Sequence, residues 1–188
     1  DDAVVLENAL VRVELRRDRN FQPSVLIDKR NAQQSFIDDV GFSAWEVPRA
    51  DWITSATCDW VVSIKTHEDD KAAWCETTLV RELPNTEPSR LTLRTTVRGG
   101  SPAVEFNFHA RFQPEHVHTL GLRIQASDYD LAEWTTAWGT SNLELGGRKN
   151  SFHALLGFRN GMALTRRNED SRSGLLLFHN TAWNTVFP

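Results

Sequence analysis

At 188 residues, with 40% hydrophobic and 24% charged side chains, the chain carries enough apolar mass for one sizeable core and too much for a disordered segment. Its net charge of −4 gives no electrostatic reason to bind nucleic acid, and no apolar run approaches the roughly 18 residues that cross a bilayer, so neither nucleic acid nor a membrane is an expected partner. Cys58 and Cys75 are too few for a disulfide framework or a cysteine zinc site, which leaves either one disulfide or two buried free thiols.

The chain opens on Asp1-Asp2-Ala3 with neither Met nor an apolar signal core, as a mature protein or an excised domain would. From Val4 to Leu15 two short strands are predicted about the turn pair Glu7-Asn8; in the second, Val11, Val13 and Leu15 alternate with Arg12, Glu14 and Arg16. Arg16 to Asn20 reads as a polar loop and Ser24 to Ile27 as a third strand. That strand ends in a tight turn at Asp28 to Asn31, from which Gln33 to Ile37 pairs back, so the opening is a meander. Phe42 to Val47 is a strand closed by Pro48, and Asp51 to Ser55 a loop or short strand. Asp59 to Thr66 and Trp74 to Glu82 are strands joined by a charged hairpin tip at His67 to Lys71. After a proline-bearing connection at Leu83 to Ser89, Arg90 to Val97 alternates cleanly, with Leu91, Leu93, Thr95 and Val97 on one side.

The strongest pattern follows. Val104, Phe106, Phe108, Ala110 and Phe112 fall on one face of an extended chain, and Glu105, Asn107, His109 and Arg111 on the other. With Leu120, Leu122 and Ile124 beyond a polar connection at Gln113 to His118, the stretch reads as one long antiparallel hairpin with a wet face. Ser127 to Asn142 reads as an irregular excursion carrying a helical turn. Phe152 to Phe158, Gly161 to Thr165 and Gly174 to Phe178 read as closing strands, the last two joined by a polar loop at Arg166 to Ser173. Strand follows strand with no amphipathic helix between, which predicts a single all-β domain over residues 1–188: a large antiparallel β-sandwich of about 12 or more strands.

The order of these features resembles the galactose-mutarotase-like supersandwich domain in the C-terminal region of family 38 α-mannosidases. The resemblance rests on Leu6 to Leu15 followed by Val25 to Arg30, and on Gly100-Ser101-Pro102 running to Phe106. It continues through Phe112 to His118 and Leu120 to Ile124, and ends at Gly161 to Leu164 and Gly174 to Leu177. It implies a carbohydrate-active protein, one domain of a larger multidomain glycoside hydrolase, with carbohydrate and a catalytic domain of the same chain as partners. It also implies that the zinc ligands and the carboxylate nucleophile belong to that separate domain, with no cofactor in this segment. The alternative is a self-contained polysaccharide lyase or sugar epimerase.

The candidate residues are weighed against plainer roles. His116 and His118, two apart on a strand, share a face and could hold zinc, but no further ligand stands at motif spacing and strand-end hydrogen bonding explains them as well. His109 lies on the polar side of its strand near Glu105 and Asn107, where a solvated sheet face also accounts for it. A glycosidase needs two carboxyl groups roughly five to ten Å apart, and the 25 acidic residues offer no way to select a pair. A lyase needs a base such as His109, His116 or Tyr129, and Tyr129 is flanked by Asp128 and Asp130, whose charges oppose a phenolate. Seven Trp against one Tyr suggest either a thick core or a stacking surface. Trp45 and Trp52 with Arg49 and Asp51 between them make the best candidate for a sugar-binding loop, and Trp134 with Trp138 a second pair; core packing is the competing role for both.

Overall fold

The computed structural model describes residues 2–30, 35–46, 51–56, 60–82, 87–112, 117–125, 129–136, 139–144, 161–168 and 171–178. The architecture is all-β and antiparallel: the described residues form 14 strands and a single 3-10 turn at Arg17–Arg19, with no α-helix among them. The chain divides into two compact units, Asp1–Ala126 and Ser127–Pro188.

The first unit opens with a meander of β1 (Ala3–Glu7), β2 (Val11–Arg16) and β3 (Gln22–Asp28). The alternation in β2 sorts its faces as expected, with Val13 and Leu15 fully buried and the outward Arg12 and Glu14 joined at 2.8 Å. Asn8 makes the turn, its Oδ1 accepting the N–H groups of Leu10 and Val11 at 2.7 and 2.8 Å. Its amide donates to the carbonyls of Arg98 and Ser101, which pins this turn to a distant one. A bulge at Glu14/Leu15 sets Pro23, which has no N–H to give, opposite Leu15. Of the segment expected to pair back, Gln33 and Gln34 fall outside the described residues and Ser35 to Ile37 form no strand, although the Phe36 N–H donates to the Leu26 carbonyl at 2.7 Å.

Two further sheets complete this unit. One orders β10 (Val117–Gln125), β4 (Asp39–Glu46) and β5 (Asp51–Thr54). The other orders β6 (Val61–Glu68), β7 (Ala72–Arg81), β8 (Ser89–Arg98) and β9 (Val104–Arg111). Their apolar sides meet in one core cluster of Phe42, Ala44, Ile53, Trp60, Leu79 and Leu91, against which Val62, Ala110 and Phe112 pack. Phe42 contacts Trp60 edge-on at 5.7 Å, and the Trp60 indole N–H finds the Thr54 carbonyl at 3.1 Å, so the ring is buried without an orphaned donor.

The long hairpin expected over Val104 to Ile124 is not formed. β9 pairs with β8 and β10 with β4, so the two strands belong to different sheets. Alternation sorts side chains between faces and says nothing of the neighbour. The apolar positions of β9 stand opposite those of β8 across the Gly99-Gly100 turn, at Leu93 to Phe108 and Leu91 to Ala110. Gly100 takes a φ of 71°, which any other residue would resist.

Beside the core, Asp39 lies 1% exposed and meets Arg123 Nη2 at 2.6 Å, joining the start of β4 to the end of β10. Burial raises the Asp39 carboxyl above its usual range, against the opposing pull of Arg123. Next to it a Cβ on Gly41 would collide with the Ser55 hydroxyl, which accepts the Phe42 N–H at 2.9 Å. The Cys75 thiol is free, buried and likewise raised by desolvation, whereas Cys58 falls outside the described residues.

In the second unit β11 (Leu131–Thr136), β12 (Gly139–Glu144), β13 (Gly161–Asn168) and β14 (Ser171–Phe178) form a sheet ordered β12-β11-β13-β14. The expected irregular excursion is thus a β-hairpin, because Leu131 to Thr136 finds an antiparallel partner in Gly139 to Glu144. The expected polar loop at Arg166 to Ser173 is mostly strand, paired as far as Asn168 and Ser171. The strand expected at Phe152 to Phe158 lies outside the described residues.

Candidate functional site

In the β6-β7-β8-β9 sheet, Cys75, Thr77, Leu79, Leu91, Leu93 and Thr95 are buried, and the alternate residues face outward. Register then sets side chains from neighbouring strands side by side. Lys65, Glu76, Arg94 and Asn107 form one row across the sheet; Ser63, Thr78, Thr92 and His109 form the row beside it. On the other flank stand His67, Trp74, Thr96 and Glu105.

Arg94 is the fixed point of this face. Its Nε and Nη2 both donate to Glu76 Oε2, at 3.0 and 2.6 Å. Its guanidinium carbon lies 4.5 Å from the centroid of the Trp74 ring, a cation–π distance. His67 stacks on the same indole at 5.4 Å with 27° between the planes. Trp74 is therefore occupied in holding Arg94 and His67, and the ring serves as a brace. At the edge of the face Arg98 forks onto Glu105 at 2.8 and 3.1 Å, and this hydrogen bonding holds the Glu105 carboxyl below its usual range.

A depression of about 370 Å³ opens over the centre, lined by Glu76, Thr92, Arg94, Asn107, Phe108 and His109. It presents fixed donors from Arg94, an acceptor from Glu76, and groups of both kinds from Thr92, Asn107 and His109. Such a mixture matches neighbouring hydroxyl groups, each of which gives and takes a hydrogen bond. Strands hold it in place, and binding groups on strands are set more sharply than those on loops. A second depression of about 500 Å³ is lined by Asp2, Arg16, Arg17 and Asp18 around the 3-10 turn and offers no comparable array.

Of the residues singled out from the sequence, His109 stands at this depression and is exposed. Trp45 and Trp52 stand opposite one another in the β4–β5 register, with Glu46 opposite Asp51, so this pair belongs to the arms of a hairpin and not to a loop. Arg49, His116 and Trp138 fall outside the described residues, and His118 is placed only as a strand position. Tyr129 belongs to the second unit, 4% exposed, with the Arg166 guanidinium carbon 4.5 Å from its ring centroid. His109 and Tyr129 thus sit in separate units. Among the described residues no group of three or more His, Cys, Asp or Glu is placed to hold a metal ion.

The roles of Glu76, Thr92 and Arg94 were not legible in advance. Alternation in β8 already puts Arg90, Thr92 and Arg94 on the side away from Leu91 and Leu93, but which residues of β7 and β9 they meet is a matter of register. Comparison of the chain with protein-family models, with curated proteins and with solved structures finds no match.

Proposed function

We propose that this chain is a carbohydrate-facing β-domain of a larger, α-mannosidase-like glycoside hydrolase, of the galactose-mutarotase-like supersandwich type, which binds sugar for a separate catalytic domain of the same protein. The observation that carries the reading is the outer face of the four-stranded sheet, where Arg94, braced by Glu76 and Trp74, stands with Thr92, Asn107 and His109 around one depression. Glu76 is the one carboxylate among the described residues lining it, and it is engaged by Arg94. Paired carboxyl chemistry therefore has no place to start from at this depression, whereas hydrogen bonding to sugar hydroxyls does. On this reading zinc and the nucleophile are the catalytic domain's. Trp45 and Trp52, opposite in register, would supply a second contact.

Titrating the protein with mannan and manno-oligosaccharides by calorimetry tests this. Binding that Arg94→Gln and Asn107→Ala weaken, with the melting temperature kept, is the expected result; absence of binding to any glycan would remove the proposal.

A second reading, a self-contained lyase or epimerase, is favoured by one observation: His109 is exposed in the same depression as a guanidinium able to receive a sugar carboxylate. Turnover of acidic polysaccharide that is abolished by His109→Ala would select it over the first.

A further inference from the structure

The charges on this face are out of step with those of the chain. The protein carries a net charge of −4, yet the outward positions of β6 to β9 hold Lys65, Arg90, Arg94, Arg98 and Arg111 against Glu76 and Glu105. Glu87, before β8, reaches Arg111 at 2.7 Å, and Asp69, after β6, meets His67 at 3.3 Å, which makes four carboxylates against the five cations. A positive excess remains.

The ion pairs also leave donors in hand. Both bonds from Arg94 to Glu76 use Nε and Nη2, and among the described residues no partner is placed on Nη1. Arg90 and Lys65 are exposed and make no ion pair among the described residues. Arg90, Arg94 and Arg98 share one side of β8, and at about 3.4 Å per residue a polymer laid along this strand would meet a guanidinium roughly every 14 Å. Between the first two lies Thr92, with His109 beside it in register.

We propose that this face selects an anionic glycan, a polymer of carboxylated sugars. Arg94 and Arg90 receive the carboxylates, while Asn107, His109 and Thr92 take the hydroxyls between them. Guanidinium suits this task because its planar fork matches a carboxylate, and because Glu76 and Trp74 hold Arg94 in place before the ligand arrives. The inference rests on the sugar-binding reading of the same face and adds the charge class of the sugar.

The test is binding of the full chain to polygalacturonate, neutral mannan, dextran sulfate and single-stranded DNA, each at two salt concentrations. Polygalacturonate is expected to bind on the order of tenfold more tightly than mannan at low salt, with the gap closing as salt rises. The double variant Arg90→Gln/Arg94→Gln should lose that preference, its polygalacturonate affinity falling by more than its mannan affinity until the two are equal, and Arg94→Lys should restore only part of it. Equal affinity for polygalacturonate and mannan would overturn the charge class and leave sugar binding standing. No affinity for any glycan would overturn both. Tighter binding of dextran sulfate would overturn the carboxylate, and DNA binding as tight as polygalacturonate would overturn the glycan. Circular dichroism and melting of each variant show that the fold is kept, since Arg90 and Arg94 both lie on the exposed face.

Discussion

Asp39–Arg123, between β4 and β10, and Glu76–Arg94, between β7 and β8, are ion pairs of the same 2.6 Å length, yet the first carboxylate is 2% exposed and the second 19%. The arginines differ likewise, at 23% and 45%. In the first pair the cost of removing charge from water dominates: the Asp39 carboxyl is raised in spite of Arg123, and its Oδ1 has no hydrogen-bond partner among the described residues. In the second, water screens both groups and the pair adds little to stability. What it does is hold one guanidinium still with part of its fork unused. Equal geometry thus makes a joint between strands in one place and a poised donor in the other, and solvent decides which.

The largest way to break this contrast is Arg123→Met. It removes the hydrogen-bonded partner of the buried Asp39 charge and leaves only the pull of Arg19, and the expected loss is about 3–5 kcal/mol at neutral pH, smaller in acid where Asp39 takes up a proton. Urea denaturation at the two pH values checks it, and a loss that does not ease in acid would count against the buried charge. Leu91→Ala, on the inner side of β8, is expected to cost about 2–5 kcal/mol, since Leu91 is 1% exposed within the core cluster. A cost near zero would mean that the two sides of this sheet are not divided as described.

A sharper comparison comes from pH. Asp39 has a raised carboxyl in the folded state, so the fold binds its proton more tightly than the unfolded chain does. Its contribution is present below the usual carboxylate value of 3.8 and is lost as pH climbs through the higher folded value. The variant Asp39→Asn lacks this dependence, so its melting temperature relative to the native chain should improve as pH rises from 3.8 upward. A difference that stays flat, or reverses, would show that Arg123 outweighs burial. The smallest effect on stability is expected from Arg94→Gln, under about 1 kcal/mol by denaturation because the pair is exposed, together with weakened glycan binding. Severe unfolding instead would make Arg94 a structural residue like Arg123.

Some of this could be read directly from the chain. The alternation of Leu91, Leu93 and Val97 with Arg90, Arg94 and Arg98 sorted the sides of β8, and the same rule placed Glu105, Asn107 and His109 together on β9, because a strand's period of two is a local property of the backbone. The turns at Asn8 and Asp28 were legible for a similar reason: each side chain accepts a backbone N–H two residues on, a bond that needs no distant partner. The choice of partner strand was not local. Val104 to Arg111 pairs with β8 and Val117 to Gln125 with β4, although the connections on either side of β9 are of the same length, so nearness in sequence does not choose between them. The environment of Asp39 was hidden for the same reason, its partner lying 84 residues away. Glu76, Arg94 and Asn107 come from three strands, and nothing in their spacing marks them as neighbours. Only the assembled sheet makes them a site, since hydrogen bonds between backbones decide which side chains stand side by side and the side chains then share whatever solvent that placement leaves them.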